Sequence, residues 1–338
     1  MTLPIVRLDV PPADWSALVR PLRRAGYDFN SLRDALKLPR TLDAFVHGWD
    51  DRSFPRVAAR LRRLRPRTPI ERMAAAVFLS RPAPAAQWRR LFRPAELSFL
   101  RRTGLLAQDG APSGQWVFSM AVCPFRGFFF LVDSLPRMRQ LGWRADDLPP
   151  DAVYFLGPET LLLAQEVRRT ACRSAVDLCT GSGVHAVLAS MHARTVWAVD
   201  VSSRAVDVAR ANCALNGAGN VRVVRGDLWD AVPRGLLFDL VVSNPPILRA
   251  PGLRRLWADG GPDGNELVRR ILARLPGRMT SRGTCQMTAA RGVVRWLSSR
   301  PALRGFECRW SPYPKLVSGN SGFLELRRRA RLPSQGAA

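Results

Sequence analysis

The sequence predicts an α/β protein in which a doubly wound parallel sheet, residues 151–330, follows a mostly helical domain, residues 1–150. After Pro149 and Pro150, apolar runs of strand length alternate with helical patterns, as is typical of a parallel sheet. Before them, apolar residues recur mostly with the period of a helix. Ligands of a doubly wound sheet bind at the carboxyl ends of its strands, so we expect the functional site there.

Six strands and two helices are predicted in the second domain from the length and composition of the apolar runs. The strands are 174–178, 195–200, 221–226, 238–243, 283–288 and 322–326, and the helices are 203–215 and 265–275. The last residues, 331–338, are predicted to form a disordered tail.

The first domain is predicted to be helical with a small strand pair at its end. Its helical segments are 15–22, 31–36, 70–79, 85–92 and 94–106, and its strands are 115–120 and 128–132. The last three helical segments, 70–79, 85–92 and 94–106, are followed by the two strands. This arrangement of three helices and a two-stranded wing resembles a winged helix. Such a domain can bind nucleic acid, but the fold alone does not establish that role.

The net charge of +25 comes almost entirely from arginine, since Lys37 and Lys315 are the only lysines. This suggests a polyanionic partner or an acidic substrate, and the alternative is solvated arginines that reflect genome composition. The six cysteines are scattered and only three histidines are present, so we expect neither a metal site nor a disulfide. Without a signal-peptide pattern or a membrane-length apolar run, we expect a cytoplasmic protein with no membrane partner.

A glycine-rich loop follows the first strand of the predicted sheet. Asp177 lies near the end of that strand, and Thr180, Gly181 and Gly183 come next. Small glycines let a ligand approach the backbone at the start of the following helix. The loop also fits the dinucleotide signature of nicotinamide enzymes, which is weak by itself. The carboxylate of Asp177 would repel a pyrophosphate but could hold the ammonium of an amino acid group.

Two further aspartates stand at the ends of the next two strands. Asp200 is placed to accept hydrogen bonds from ribose hydroxyls, and Asp227 from the exocyclic amine of adenine, with Leu228 packing on the ring. Each aspartate alone could be a turn or helix-capping residue. Their shared position at successive strand ends favours a cationic nucleoside without phosphate, and S-adenosylmethionine fits this description better than NAD.

The strand 238–243 ends abruptly in Asn244, Pro245 and Pro246. Prolines fix φ and lack an N–H donor, so this corner offers hydrogen-bond acceptors almost exclusively. Its ligand is therefore expected to be a donor such as an amino group. The alternative is a rigid turn that only ends the strand.

These motifs, in this order, resemble class I S-adenosylmethionine-dependent methyltransferases, in the branch with an Asn-Pro-Pro-aromatic motif. Within that branch the chain is similar to protein-glutamine N5-methyltransferases that modify release factors and ribosomal protein. Residues 158–160 are similar to their Arg-Pro-Glu-Thr-Glu segment, and residues 260–264 to their Gly-Gly-x-Asp-Gly loop. The resemblance covers residues 153–328 and implies a Rossmann-like fold.

The resemblance also implies transfer of a methyl group from S-adenosylmethionine to a nitrogen. The side-chain oxygen of Asn244 and the carbonyl of Pro245 would be catalytic, accepting hydrogen bonds from the NH2 group of the acceptor. Pro246 and Ile247 would contact the substrate. Ile247 stands where the family usually carries Tyr or Phe, so the stacking surface is absent or supplied elsewhere. The cofactor would contact Thr160, Asp177, Thr180, Gly181, Gly183, Asp200, Asp227, Leu228 and Asn244.

Three functions are consistent with the sequence. The first is N-methylation of a macromolecule, either RNA or a translation protein, with the arginine-rich N-terminal domain as docking surface. Its arginines recur at helical spacing at positions 56, 60, 63 and 67. The second is N- or O-methylation of a small metabolite, with the N-terminal domain closing the pocket or forming a homodimer. The third is a non-catalytic protein that binds RNA or DNA.

Overall fold

The computed structural model describes residues 6–37, 65–109, 114–133, 151–153, 156–249, 256–313 and 320–329. The chain divides into two compact units. The first comprises residues 1–158, 181–184 and 204–219, and the second comprises residues 159–180, 185–203 and 220–338. Arg56, Arg60, Arg63, the proline pair at 149–150 and the predicted tail lie outside the described residues, and the predicted domain boundary stays a prediction.

The described helices and strands have the following bounds. The helices are α1 (Ser16–Arg24), α2 (Phe29–Ala35), α3 (Pro69–Met73), α4 (Ala85–Leu91), α5 (Pro94–Arg102), α6 (Pro158–Glu166), α7 (Val184–Ser190), α8 (Ser203–Leu215), α9 (Glu266–Arg274) and α10 (Val293–Ser298). The strands are β1 (Leu106–Gln108), β2 (Trp116–Phe118), β3 (Met120–Phe125), β4 (Phe128–Asp133), β5 (Cys172–Leu178), β6 (Ala193–Asp200), β7 (Val221–Arg225), β8 (Phe238–Ser243), β9 (Met279–Ala290), β10 (Phe306–Pro312) and β11 (Ser321–Arg328). None of these helices is long and apolar enough to cross a membrane.

In the first unit the predicted helix over 70–79 is two elements. A capping box starts α3, in which the Thr68 hydroxyl accepts from the Glu71 N–H and the Glu71 carboxylate accepts from the Thr68 N–H. A π-helical turn, Ala74–Phe78, then continues the chain. The predicted helix 94–106 ends earlier, at Arg102, because Gly104 has a φ of 75° that a helix cannot accommodate.

Two antiparallel strand pairs complete this part of the first unit, β1 with β2 and β3 with β4. Both predicted strands are present as β2 and β4, but each pairs with a strand that the sequence did not indicate. Arg126 and Gly127 both have positive φ, 51° and 84°, which gives the two-residue turn that joins β3 to β4. The winged-helix assignment stays a prediction.

The second unit contains a seven-stranded sheet in the order β10-β11-β9-β8-β5-β6-β7. The strands β9, β8, β5, β6 and β7 run parallel, and β11 runs antiparallel to both β9 and β10. This confirms the predicted α/β fold. The edge strand β10 was missed because most of its residues are exposed or half-buried, so it lacks a clear apolar run.

Helices cover both faces of this sheet, as the doubly wound prediction requires. On one face, Val176 and Val241 pack in a buried cluster with Ile271 of α9. On the other, Val242 packs with Leu163 of α6 and with residues of α7. Since successive strand residues point to opposite faces, a strand covered on both sides is largely apolar. The central strands therefore consist mostly of apolar residues, and their positions could be predicted.

Candidate functional site

The register of the parallel strands brings the predicted site residues of the second unit to one edge of the sheet. Asp177 of β5 lies opposite Val242 of β8 and Ala198 of β6. Asn244 therefore follows β8 at the level at which the loop after β5 begins. The Ser243 hydroxyl donates to the carbonyl of Leu178 at 2.7 Å and ties the two strand ends together.

Asp177 is buried, with only 1% of its surface exposed. Its Oδ2 accepts hydrogen bonds from the Thr180 hydroxyl at 2.5 Å and from the Ala186 N–H at 3.0 Å. Its Oδ1 is buried and has no partner among the described residues. Burial raises the pKa of this carboxyl to about 7. A buried carboxylate oxygen without a donor is suited to a cationic group.

The loop after Thr180 belongs to the first unit by its contacts. Gly181 and Gly183 both have positive φ, 53° and 79°, so side chains there would be strained. A Cβ at Gly183 would also lie 3.1 Å from the Cβ of Ala209. This close approach of α8 explains the glycine at position 183.

Two asparagines, Asn212 in α8 and Asn216 just beyond it, pair with β4 as a neighbouring strand would. The Asn212 Oδ1 accepts from the Leu131 N–H at 2.7 Å, and its Nδ2 donates to the Leu131 carbonyl at 2.9 Å. Asn216 makes the same two bonds to Phe129. The Nδ2 of Asn212 donates in addition to the carbonyl of Ser182 at 2.8 Å, in the middle of the glycine loop. Asn212 therefore holds the loop, and sequence reasoning missed it.

We expect Asn212→Ala to raise the dissociation constant for S-adenosylmethionine by about tenfold, because the loss of a buried bond of roughly 1 to 1.5 kcal/mol releases the loop. The matched control is Asn216→Ala, which loses the equivalent bonds to β4 but none to the loop. Calorimetric titration and thermal melting of both variants give the comparison. Equal dissociation constants in two variants of equal stability would contradict a role for Asn212 in holding the loop.

The aspartates at the ends of β6 and β7, Asp200 and Asp227, each have a partner. The Asp200 Oδ1 accepts from the Ser202 N–H at 3.0 Å. The Asp227 Oδ2 accepts from Arg270 of α9 at 2.5 Å, and the Asp227 side chain is about half exposed. Leu228 has a φ of 49°, which is uncommon for such a side chain, and is buried. The predicted cofactor contacts of these residues stay predictions, and Arg270 is a neighbour that the sequence did not indicate.

A hydrogen bond to Thr160 orients the side chain of Asn244. Its Nδ2 donates to the hydroxyl of Thr160 in α6 at 3.0 Å. The amide nitrogen is thereby engaged, which leaves the side-chain oxygen to accept from a ligand. Thr160 was predicted to contact the cofactor, and in the structure it holds Asn244.

A glycine loop packs against the Asn-Pro-Pro corner. A Cβ at Gly260 would lie 2.7 Å from the carbonyl oxygen of Pro246, and one at Gly264 would overlap the carbonyl oxygen of Ile247. Leu248 and Gly260 are joined by a backbone hydrogen bond of 2.9 Å. The glycines of the Gly-Gly-x-Asp-Gly sequence thus let residues 260–264 lie against the backbone of Pro246 and Ile247, where side chains would not fit. Ile247 is half-buried and packs against the core of the sheet.

Comparison with known proteins identifies relatives of this chain. The family model for the methyltransferase small domain matches residues 156–257. The chain is 39% identical over 141 residues to the ribosomal protein uL3 glutamine methyltransferase of Bradyrhizobium diazoefficiens, covering 37% of this chain and 44% of that protein. It is 33% identical over 188 residues to the release factor glutamine methyltransferase of Bordetella pertussis, covering 47% of this chain and 69% of that protein.

A crystal structure of the ribosomal protein L11 methylase from Lactobacillus delbrueckii subsp. bulgaricus covers 50% of this chain and 76% of its own, with 20% identity and a TM-score of 0.39. That likeness is too weak to bear on function. The chain spans about half the length of the curated relatives it matches. The region that the family model matches contains the loop 180–183 and the Asn-Pro-Pro corner. The chain belongs to the same family of methyltransferases as the release factor glutamine methyltransferase of Bordetella pertussis.

Proposed function

We propose that this protein is an S-adenosylmethionine-dependent methyltransferase that methylates an amide nitrogen of a translation protein. The observation that carries the proposal is Asn244, held by Thr160 with its amide oxygen available at the carboxyl edge of the sheet. The names of the relatives, which are glutamine methyltransferases for uL3 and for release factor, support the choice of a protein amide. Such a function fits a cytoplasmic location.

The side chains at this edge of the sheet have the chemistry that this cofactor requires. The unpartnered Oδ1 of Asp177 is suited to the ammonium of the methionine group. Asp200 would accept from the ribose hydroxyls, while Asp227 and Leu228 would contact the adenine. Gly181 and Gly183 would let the cofactor approach the backbone. When bound, the cofactor supplies a methyl group on a positively charged sulfur.

The protein's own residues would prepare the acceptor. An amide nitrogen is a poor nucleophile because its lone pair is delocalised over the carbonyl group. The Asn244 side-chain oxygen and the Pro245 carbonyl would each accept a hydrogen bond from the NH2 group and aim its lone pair at the methyl carbon. Pro246 and Ile247 would form the surface beneath the amide.

The test is methyl transfer from tritium-labelled S-adenosylmethionine to purified uL3 and release factor of the source cell, with total RNA and a small-metabolite fraction in parallel. We expect the label in one of the two proteins, with the mass of one methyl group added at a glutamine. Label confined to RNA would contradict the protein acceptor. No transfer to any fraction, although the wild-type protein binds the cofactor, would contradict the enzyme itself.

One observation favours a small-metabolite acceptor as a second candidate. Ile247 offers no aromatic ring on which a flat glutamine amide could stack. In that case the N-terminal domain would close the pocket or form a homodimer. Label found only in the small-metabolite fraction would support this candidate.

A further inference from the structure

Asn265 is a buried residue of the second unit whose side-chain nitrogen has no partner. It follows the Gly-Gly-x-Asp-Gly loop, directly precedes α9 and is fully buried. Its Oδ1 accepts a hydrogen bond from the N–H of Ala290 at 3.0 Å, whereas its Nδ2 has no hydrogen-bond partner among the described residues. Only the oxygen of an amide can accept from an N–H, so this bond fixes which of the two atoms faces Ala290.

The usual role of an asparagine at the start of a helix does not account for this side chain. Such an asparagine normally accepts a hydrogen bond from an N–H in the first turn of the helix. Asn265 makes no such bond to the described residues of α9, and its side chain reaches the end of β9 instead. A buried donor is thereby left unpaired, which costs free energy. A ligand that supplied the missing acceptor would offset this cost.

The side chain of Asn265 lies at the same edge of the sheet as the Asn-Pro-Pro corner. Its partner Ala290 ends β9, and Met287 of the same strand lies opposite Ser243, the last residue of β8. Asn244 directly follows Ser243. The glycine loop before Asn265 packs against the backbone of the same corner. The unpaired donor therefore lies beside the corner at which the methyl acceptor is expected.

A space next to this nitrogen is left open by a glycine. Gly292 follows β9, and a Cβ added there would have the Nδ2 of Asn265, at 3.5 Å, as its one contact within 4 Å among the described residues outside its own turn. The φ of Gly292 is −58°, which any residue can adopt, so the backbone conformation does not require glycine here. The missing side chain leaves the Nδ2 uncovered on this side.

The Asn-Pro-Pro corner itself offers acceptors only. Pro245 and Pro246 have no N–H, and the Nδ2 of Asn244 already donates to Thr160. A primary amide brings two N–H donors, which the oxygens of Asn244 and Pro245 would accept. It also brings a carbonyl oxygen, which loses its hydrogen bonds to water on binding and needs a donor in the site. An amine brings no such oxygen.

We propose that the Nδ2 of Asn265 donates a hydrogen bond to the carbonyl oxygen of the acceptor amide and thereby selects an amide over an amine. The proposal rests on the proposed function, because it requires methyl transfer at the Asn-Pro-Pro corner. With an amine in place the donor would stay buried and unpaired, which disfavours that ligand. The bond holds the amide both before and during transfer, so its loss should raise KM and leave kcat nearly unchanged.

The test measures steady-state methyl transfer to purified uL3 and release factor, with KM for the acceptor and kcat determined separately. We expect Asn265→Ala to raise KM by about tenfold and to change kcat by less than about threefold. Gly292→Ala keeps the bond to Ala290 but places a methyl group against the Nδ2, so KM should rise by a similar factor. The matched control is Gly305→Ala, just before β10 at the opposite edge of the sheet, where a Cβ would meet no described atom within 4 Å. It should leave both constants unchanged.

Calorimetric titration of S-adenosylmethionine shows in which way the proposal fails, if it fails. A KM for the acceptor that stays at the wild-type value in both Asn265→Ala and Gly292→Ala would overturn it. A rise in the dissociation constant for the cofactor in both variants would overturn it as well, because the Nδ2 would then serve the cofactor. Gly292→Ala decides the question if Asn265→Ala melts at a lower temperature. If the wild type labels neither protein, the proposed function is contradicted first, and the role of Asn265 falls with it.

Discussion

Replacing Asn244 with alanine is expected to lower kcat for methyl transfer by about a hundredfold to a thousandfold, while the dissociation constant for S-adenosylmethionine changes by less than about threefold. The side-chain oxygen of Asn244 would act on the acceptor's NH2 group, so its loss removes an interaction made to the reacting nitrogen. The measurement pairs single-turnover transfer kinetics with calorimetric titration of the cofactor.

A second variant keeps the side-chain oxygen of Asn244 and tests only how the side chain is oriented. Thr160→Val keeps the shape of the side chain but removes the hydroxyl that accepts from the Asn244 Nδ2. We expect it to lower kcat by about tenfold, since the amide would be present but free to turn. If Asn244→Ala instead loses cofactor binding with no separate loss of kcat, the catalytic role assigned to Asn244 is wrong.

The sheet and the strand ends could be predicted because their signals are local in the sequence. A strand covered on both faces is largely apolar, so the buried parts of β5 and β8 stand out as mostly apolar stretches. Polar residues at the ends of such strands, or just after them, then lie at one edge, because parallel strands share their direction. Asp177 and Asn244 were found in this way, and the register of β5 with β8 puts them at neighbouring strand ends.

The interactions that hold the site in place were not predictable, because they join residues far apart in the chain. Asn212 bonds both to Leu131, 81 positions away, and to Ser182, 30 positions away. The sequence held one signal: Asn212 and Asn216 are four residues apart in and just beyond a helix whose neighbouring positions are apolar. Buried amides with helical spacing imply a partner with free backbone groups, but they do not say which strand supplies them.

The π-helical turn could not be predicted from the sequence for a different reason. The run Ala74–Phe78 has the composition of an ordinary buried helix, and five consecutive buried residues favour a single helix over 70–79. The wider turn depends on tertiary bonds, such as the Ser80 hydroxyl donating to the Met120 carbonyl at 3.3 Å. Helical periodicity carries no information about such a contact.

Asp177→Asn is expected to stabilise the free protein and to weaken cofactor binding. Burial raises the pKa of Asp177 from 3.8 to about 7, so the folded carboxyl holds its proton more tightly than the unfolded one. The free energy of unfolding of the wild type therefore falls as pH rises from about 4 to about 7, by up to roughly 4 kcal/mol, and then levels off. Asparagine carries no charge and avoids this loss.

The variant should therefore melt at a higher temperature than the wild type at pH about 8, and the difference should shrink towards pH about 4. The amide oxygen can still accept from Thr180 and Ala186, so the local bonds can be kept. Cofactor binding should respond in the opposite direction. An amide has no charge with which to hold an ammonium, so we expect the dissociation constant for S-adenosylmethionine to rise by about thirtyfold or more.

In the wild type, the affinity for the cofactor should itself depend on pH, because only the ionised carboxylate of Asp177 would attract the ammonium. Its affinity for the cofactor should rise with pH up to about 7 through Asp177, while the affinity of Asp177→Asn should lack this component. Titrations of both proteins across this range separate the two roles of the residue. If the variant is stabilised at high pH and still binds the cofactor as the wild type does, the buried carboxylate serves the loop alone and the ammonium is held elsewhere.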